Sequence, residues 1–367
     1  MLWFENRGNH AKIQHPTSPM IEIDGSYGEG GGQVLRTSLS LAAITGEPIR
    51  IVGIRAKRKK PGLAAQHLTA VRAAARICHA QMRGDALGSM MLEFIPSSSV
   101  QAGTYIFDVT EVQQGGSAGA ITLVLQTILL PLSLASGDSL ITLRGGTHVN
   151  FSPTITYIEQ VYLPTLKRMG IEAEVKLGAW GWYPQGGGEI QVRVSGGSTL
   201  GGINLLDRGD LQQIRGLAVV TQLPAHIPQR MANRAENLLR EAGLKVNIKA
   251  LREKGVAPGA GIFLTAEYKN SLTGFGGLGR LRITSEEVAE IACKQLLRFH
   301  QSGAPVDEYL ADQLLLPAVL ASEESQYRVA EVSTHLTTNA AIIKQFGLAQ
   351  IIVDEEEKIV VVKPGDR

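Results

Sequence analysis

One plan of secondary structure recurs three times along this chain, and such a recurrence narrows the fold more than any single motif can. In the first instance a helix runs from about Gly31 to Thr45, the strand Ile49–Ile54 follows, and a helix runs from about Ala64 to Met82. The second has a helix from about Ser117 to Ala135, the strand Leu140–Leu143 and a helix from about Pro153 to Met169. The third has a helix from about Glu308 to Leu320, the strand Tyr327–Val332 and a helix from about Thr338 to Phe346. Each opens on an apolar helix carrying a polar residue. The first two then cross into the strand through a short turn, Thr45-Gly46-Glu47-Pro48 or Ser136-Gly137-Asp138. One such unit cannot cover its own apolar helices. Three β-α-β-α units packed around a common centre are expected, an α/β (α+β) architecture.

The copies are unevenly spaced. Between the second and third lies a segment with a pattern of its own: strand Gly216–Thr221, an amphipathic helix near Pro228–Glu241, strands Lys245–Ala250 and Gly261–Ala266, and a helix from about Ser285 to Phe299. Gly196-Gly197 and Gly201-Gly202 precede it and Ser302-Gly303-Ala304-Pro305 follows, so it reads as a small inserted α/β domain. The expected division is a large three-repeat domain at 20–200 and 305–367, the insertion at 201–304, and a loose, unpatterned N-terminal extension at 1–19, or an early start codon.

With 44% hydrophobic and 19% charged residues, the chain has the balance of a folded globular protein rather than a disordered one. The uncharged run from Ala118 to Ala135 carries Thr122, Gln126, Thr127, Pro131 and Ser133, which fits a buried helix better than a membrane span. Glu5 and Arg7 interrupt any secretory core, and the two cysteines, Cys78 and Cys293, form no zinc motif and fit buried thiols in a reducing compartment. A cytoplasmic protein without a membrane partner is expected, with a homodimer left open. A net charge of +2 gives no general pull on nucleic acid, so any polyanion site must come from a local cluster. Arg55, Lys57, Arg58, Lys59 and Lys60 are such a cluster.

Several short motifs could carry chemistry. Gly28-Glu29-Gly30-Gly31-Gly32-Gln33 opens the first helix, where backbone N–H groups can hold phosphate oxygens. Glu29 would repel a phosphate unless a cation lay between, so the loop points to a metal–nucleotide site. Ser333-Thr334-His335-Leu336-Thr337-Thr338-Asn339 places a histidine in a loop between a strand and a helix, with Thr338 or Asn339 as the cap. That histidine is either a surface group or a nucleophile towards phosphorus. Asp312 with Gln313 at a helix start is either a first-turn acid or a group that orients a histidine or a metal. Gln126 in its apolar helix requires a partner, and Gln66-His67 follows the basic stretch. Trp182-Tyr183-Pro184-Gln185-Gly186-Gly187-Gly188-Glu189 is either a glycine-rich strand entry or a place where aromatics stack on a base.

Taken together and in order, five motifs resemble those of the RNA 3′-terminal phosphate cyclase family, over a span from about Met20 to near Val361. They are Asp24 to Arg36, Lys60-Pro61-Gly62 with Gln66-His67, Gly181 to Gly188, Glu308 to Gln313, and His335 to Asn339. The resemblance implies three repeats shared with enolpyruvyl transferases, plus a small inserted domain. It implies ATP and a divalent cation, Mg²⁺ or Mn²⁺, as cofactors, and an RNA with a 3′-phosphate end as substrate. By motif, His335 would take the adenylyl group and Glu29 would hold the cation. Arg36, Arg55 and Arg58 would neutralise the triphosphate or the RNA phosphate, while Gln66, His67 and Gln126 position phosphate or sugar. Asp312 and Gln313 match the nucleotide-site pair, Asp312 able to orient His335, and Tyr309 would flank the adenine. A non-catalytic relative that assists ribosomal RNA processing would lack the nucleophile. An enolpyruvyl transferase would leave the histidine motif unexplained. One position departs from the pattern: Trp180 stands where the family usually has Arg or His, with Arg193 or Lys176 as candidate replacement cations.

Overall fold

The computed structural model describes residues 19–112 and 118–365, so nearly all of the expected N-terminal extension, and Ser117, lie outside the described residues. The first repeat comprises β1 (Ile21–Asp24), α1 (Gly32–Thr45), β2 (Ile49–Val52), α2 (Ala65–Cys78), β3 (Gln81–Arg83) and β4 (Leu92–Ile95). Its sheet has the order β1-β2-β4-β3, with β1 parallel to β2 and the other pairs antiparallel. Parallel neighbours require a crossover, which α1 supplies.

The second repeat comprises β5 (Thr104–Asp108), α3 (Ile121–Leu134) and β6 (Ser139–Gly145), then α4 (Ile155–Tyr157), which continues through a π turn at Ile158–Tyr162 into α5 (Leu163–Lys167), and finally β7 (Ala173–Ala179) and β8 (Gly188–Val194). Its order, β5-β6-β8-β7, is the same. After β9 (Asn204–Leu205) the chain builds a different sheet from β10 (Leu211–Thr221), α6 (His226–Glu241), β11 (Val246–Glu253), β12 (Gly259–Tyr268), β13 (Leu272–Leu278) and α7 (Ser285–Ser302), in the order β11-β10-β12-β13. It then returns through α8 (Glu308–Gln313), α9 (Leu315–Leu320), β14 (Ser325–Arg328), α10 (Thr334–Lys344), β15 (Ala349–Asp354) and β16 (Ile359–Pro364). These pair back with β9 as β9-β14-β16-β15, a third sheet of the same plan.

The repeating unit is therefore β-α-β-α-β-β, the expected unit plus a closing antiparallel pair, and the third copy takes its first strand from ahead of the intervening segment. Local boundaries also differ from expectation. The helix expected to reach Met82 stops at Cys78, because His79 turns left-handed (φ 48°) and frees Gln81–Arg83 to pair with β4. The third strand is shorter than expected, and the helix before it breaks at Leu314. The last helix begins at Thr334 rather than Thr338, because the Ser333 hydroxyl accepts the Leu336 N–H and caps it there.

Helices face inward and sheets outward. Strand β6 alternates buried and exposed side chains, as a sheet with one wet face must, whereas α3 is buried almost all round. Leu41, Ile77, Val124, Ile128, Leu310 and Leu336 from the three repeats share one core. Residues 211–302 have a core of their own around Met231, Ala235, Leu264 and Leu296. Asp307, 1% exposed, joins the two parts. It caps α8 by accepting the Tyr309 and Leu310 N–H groups, and it also accepts hydroxyls from Tyr157 and from Thr273 of β13. Cys78 and Cys293 are free and buried, and burial pushes their thiols up to about 11 and about 12. Among the described residues no helix is long and apolar enough to cross a membrane.

Candidate active site

The site forms where the first turns of α1 and α10 meet. Gly28 and Gly30 take positive φ, and Gly31 leads into α1 with no side-chain cap and no acid in the first turn. Among the described residues the leading N–H groups of α1 thus lack side-chain partners, the arrangement that receives anions. His67 approaches so closely that a Cβ on Gly32 would lie 2.2 Å from its Nε2. Its Nδ1 accepts the Ala64 N–H at 3.3 Å, which leaves the ring proton on Nε2, facing Gly32. Burial, with Arg55 and Arg36 nearby, lowers the His67 pKa to about 3, so the ring is a neutral donor.

Three arginines surround this helix end. Arg36 lies one turn inside α1; burial lowers its pKa to about 10 against the pull of Asp312, and it stays charged. Arg58 lies beside Gly31 and 3.4 Å from Glu29 Oε2, while Lys57 donates to the Gly28 carbonyl at 3.3 Å. Arg55, in the left-handed region (φ 53°), donates to the Gly62 carbonyl at 2.6 Å. The basic cluster therefore wraps the glycine loop, with Lys59 and Lys60 left in solvent.

His335 sits in the first turn of α10, not in a loop, and its Nε2 lies 3.1 Å from Glu29 Oε2. Gln33 donates to the His335 carbonyl at 2.5 Å and to Asp312 Oδ2 at 3.4 Å. Asn339 donates to the Asp312 carbonyl and accepts the Thr37 hydroxyl at 2.6 Å. Asn339 is thus a buried contact between helices and the buried Thr338 packs against the Gly28 loop, neither being the cap, and Asp312 is linked to His335 through Gln33. The tie made by Gln33, Thr37 and Asn339 lies outside the expected site residues. Its signal is faint: Gln33 and Thr37 are polar residues four apart on one face of an otherwise apolar helix.

Behind His335 a pocket of about 50 Å³ is lined by Arg36, Gln126, Tyr162, Asp312, Gln313 and Asn339, among others. Burial raises the Asp312 pKa to about 6, opposed by His335 and Arg36. Gln126 finds its partner in Gln313 (2.7 Å), which donates to the Tyr309 carbonyl. Tyr309 itself is 43% exposed at the pocket's outer helix. Gln66 Oε1 accepts the Ala120 N–H at 2.9 Å, so only its NH₂ remains for a ligand. Among the described residues no three His, Cys, Asp or Glu side chains form a metal cage. Glu29 offers a single carboxylate, which suits a cation completed by phosphate oxygens.

Other expectations need correcting. Trp182 is 3% exposed and packs against His148, Trp180 and Phe263, so it cannot stack on a base, whereas Tyr183 stays in solvent. Trp180 fills the position of the missing cation by stacking on His148 at 4.5 Å. Arg193 and Lys176 do not replace it, because both point outward from the second sheet.

The glycine loop depends on its contact with α10. A Cβ on Gly28 would lie 2.1 Å from the Thr338 hydroxyl, in a backbone conformation that side chains rarely adopt. Gly28→Ala is expected to destabilise the fold by about 2 kcal/mol and to displace Glu29, read as a lower thermal midpoint together with lost activity.

Known proteins resemble this chain over most of its length. The profile of the family described as "RNA 3'-terminal phosphate cyclase" matches residues 27–353. A protein of that name from Nostoc punctiforme is 80% identical over 94% of this chain and 99% of its own. Another from Methylococcus capsulatus is 53% identical over 91% of this chain and 93% of its own. Among solved structures, the enolpyruvyl transferase NikO from Streptomyces tendae aligns over 95% of this chain and 83% of its own at 13% identity, with a TM-score of 0.24.

Proposed function

We propose an activity for this chain on the premise that it belongs to the RNA 3′-terminal phosphate cyclase family: ATP-dependent conversion of an RNA 3′-phosphate to a 2′,3′-cyclic phosphate. The observation that carries this reading is the meeting of His335 Nε2 and Glu29 Oε2, 3.1 Å apart, at the open end of α1. An imidazole nitrogen of His335 attacks the α-phosphorus of ATP, and the bond to pyrophosphate breaks. A terminal phosphate oxygen of the RNA then displaces the histidine from that phosphorus. Finally the neighbouring 2′-hydroxyl attacks the RNA phosphorus, loses its proton and expels AMP. Activation is what the RNA gains from ATP: a phosphate dianion resists attack, whereas AMP is a good leaving group. Ring closure then needs little beyond positioning.

The chain's residues divide this work by charge. Arg36, Arg55 and Arg58 neutralise phosphates, with the His67 Nε2–H and the first N–H groups of α1 as further donors. Gln66, Gln126 and Gln313 hold sugar or phosphate groups, Asp312 holds His335 through Gln33, and Tyr309 flanks the adenine. A divalent cation would neutralise the triphosphate, with Glu29 as its protein ligand. The cation concentration for half-maximal adenylylation is accordingly expected to rise about tenfold or more in Glu29→Ala. Unchanged cation dependence would remove Glu29 from that role.

The reading is tested with ATP labelled at the α-phosphate and Mg²⁺ or Mn²⁺, without RNA. Label is expected on the protein, stable to alkali and labile to acid, and discharged as AMP when an RNA 3′-phosphate is added. An unlabelled protein would favour a non-catalytic role in RNA processing instead.

A further inference from the structure

The inserted segment supplies no side chain to the chemistry above, yet its strand β13 reaches the helix that does. Successive side chains of a strand point to opposite faces, so Thr273 and Phe275 face one way and Gly274 the other. The Thr273 hydroxyl donates to Asp307 Oδ2 at 2.8 Å, and the Phe275 ring meets that of Tyr309 edge-on, with centroids 6.4 Å apart. On the opposite face Gly274 lies so close to the π turn that a Cβ there would sit 2.9 Å from Val161 Cγ2. Thr265 of β12, paired with Gly274, donates to Gln160 of the same turn at 2.6 Å. The inserted segment thus grips both α8 and the turn that ends at Tyr162, and residues of both line the pocket behind His335.

Asp307 is where this grip reaches α8. Its Oδ1 accepts the Tyr309 and Leu310 N–H groups, each at 2.9 Å, and the Tyr157 hydroxyl at 3.0 Å, while Oδ2 takes Thr273. Four donors on one buried carboxylate fix the first turn of α8 to the second repeat and to the inserted segment at once. The far end of α8 is held separately, because Gln33 donates to Asp312 Oδ2 and Asn339 to the Asp312 carbonyl. Asp307 therefore governs Tyr309, and with it Gln313, which donates to the Tyr309 carbonyl. Asp312 keeps its own ties.

We propose that Asp307 is a positioning residue for the nucleotide, through which Thr273 of the inserted segment sets the first turn of α8 and holds Tyr309 and Gln313 where the nucleoside half of ATP docks. This rests on the reading of ATP as the adenylyl donor. A first turn left free would have to be ordered each time a nucleotide binds, and fixing it beforehand removes that cost. The inserted segment thus adds to ATP affinity without touching the reacting atoms.

The test measures, on the full chain without RNA, the ATP concentration that half-saturates labelling from the α-phosphate and the rate at saturating ATP. Asp307→Ala is expected to raise the half-saturating concentration about tenfold, and Thr273→Val about threefold. The rate at saturating ATP should stay within about twofold of wild type in both, because Asp312 and His335 keep their other ties. Asp307→Asn retains an oxygen for the two N–H groups and an amide N–H that the Thr273 hydroxyl can accept, so it should restore wild-type half-saturation. A role in stability alone would lower the thermal midpoint and the labelled fraction and leave half-saturation unchanged. That result overturns the inference, as does wild-type half-saturation in Thr273→Val, or Asp307→Asn as weak for ATP as Asp307→Ala. Absence of label on the wild type removes the cyclase reading instead.

Discussion

His335→Ala should leave no α-phosphate label on the protein, a loss of about a thousandfold or more, with the fold intact. The second half of that expectation follows from exposure. The His335 side chain is 48% exposed and its contact with Glu29 is a surface pair, which contributes at most about 1 kcal/mol. His67→Ala is the informative comparison, since it removes the other histidine at the helix end. His67 is buried and neutral, and its Nδ1 lone pair is already used by the Ala64 N–H, so its ring donates and has no nitrogen free to attack. That variant should slow adenylylation and lower the thermal midpoint, yet still place label on His335. Peptide mapping decides the matter. Label found on a residue other than His335, or undiminished label in His335→Ala, would overturn the assignment.

Much of this site could be read from residue order, because glycine loops and polar residues in apolar helices are local signals. Glu29 was identifiable as the odd acid in an anion loop before any partner was known. What stayed hidden depends on residues far apart. Gln33 meets the His335 carbonyl across 302 positions, and neither motif announces the other. The start of α10 is hard to read from sequence because Thr334, Thr337 and Thr338 are weak helix formers, and only the Ser333 cap and the buried Leu336 settle it. Strand β13 is hidden in the sequence because Leu-Thr-Gly-Phe-Gly-Gly-Leu has three glycines in seven residues, which mask alternation. The two-residue β9 is invisible locally, since its partner β14 follows more than a hundred residues later.

Asp312→Asn should stabilise the protein while reducing adenylylation about a hundredfold. Burial raises the folded-state pKa of Asp312 from 3.8 to about 6. Folding therefore favours the protonated acid: that contribution is full below about pH 3.8 and is lost as pH rises through about 6. At neutral pH the ionised carboxylate costs the fold ~3 kcal/mol, which asparagine avoids while keeping an oxygen for Gln33. The thermal midpoint of Asp312→Asn at pH 7 should rise by a few degrees, and the gain should vanish near pH 4. Activity should move the other way, because the negative charge draws on Arg36 and His335, and the amide has none. In wild type, protonation of Asp312 below about pH 6 should steepen the fall of adenylylation in acid, because the imidazole nucleophile is lost to protonation as well, and the limb should be shallower in Asp312→Asn. An unchanged or lower midpoint at pH 7 would show that the buried charge is compensated within the site. An acid limb equally steep in the variant would show that Asp312 takes no part in it. Retaining an acid at this cost is understandable if its field on the α1–α10 junction is what the reaction uses.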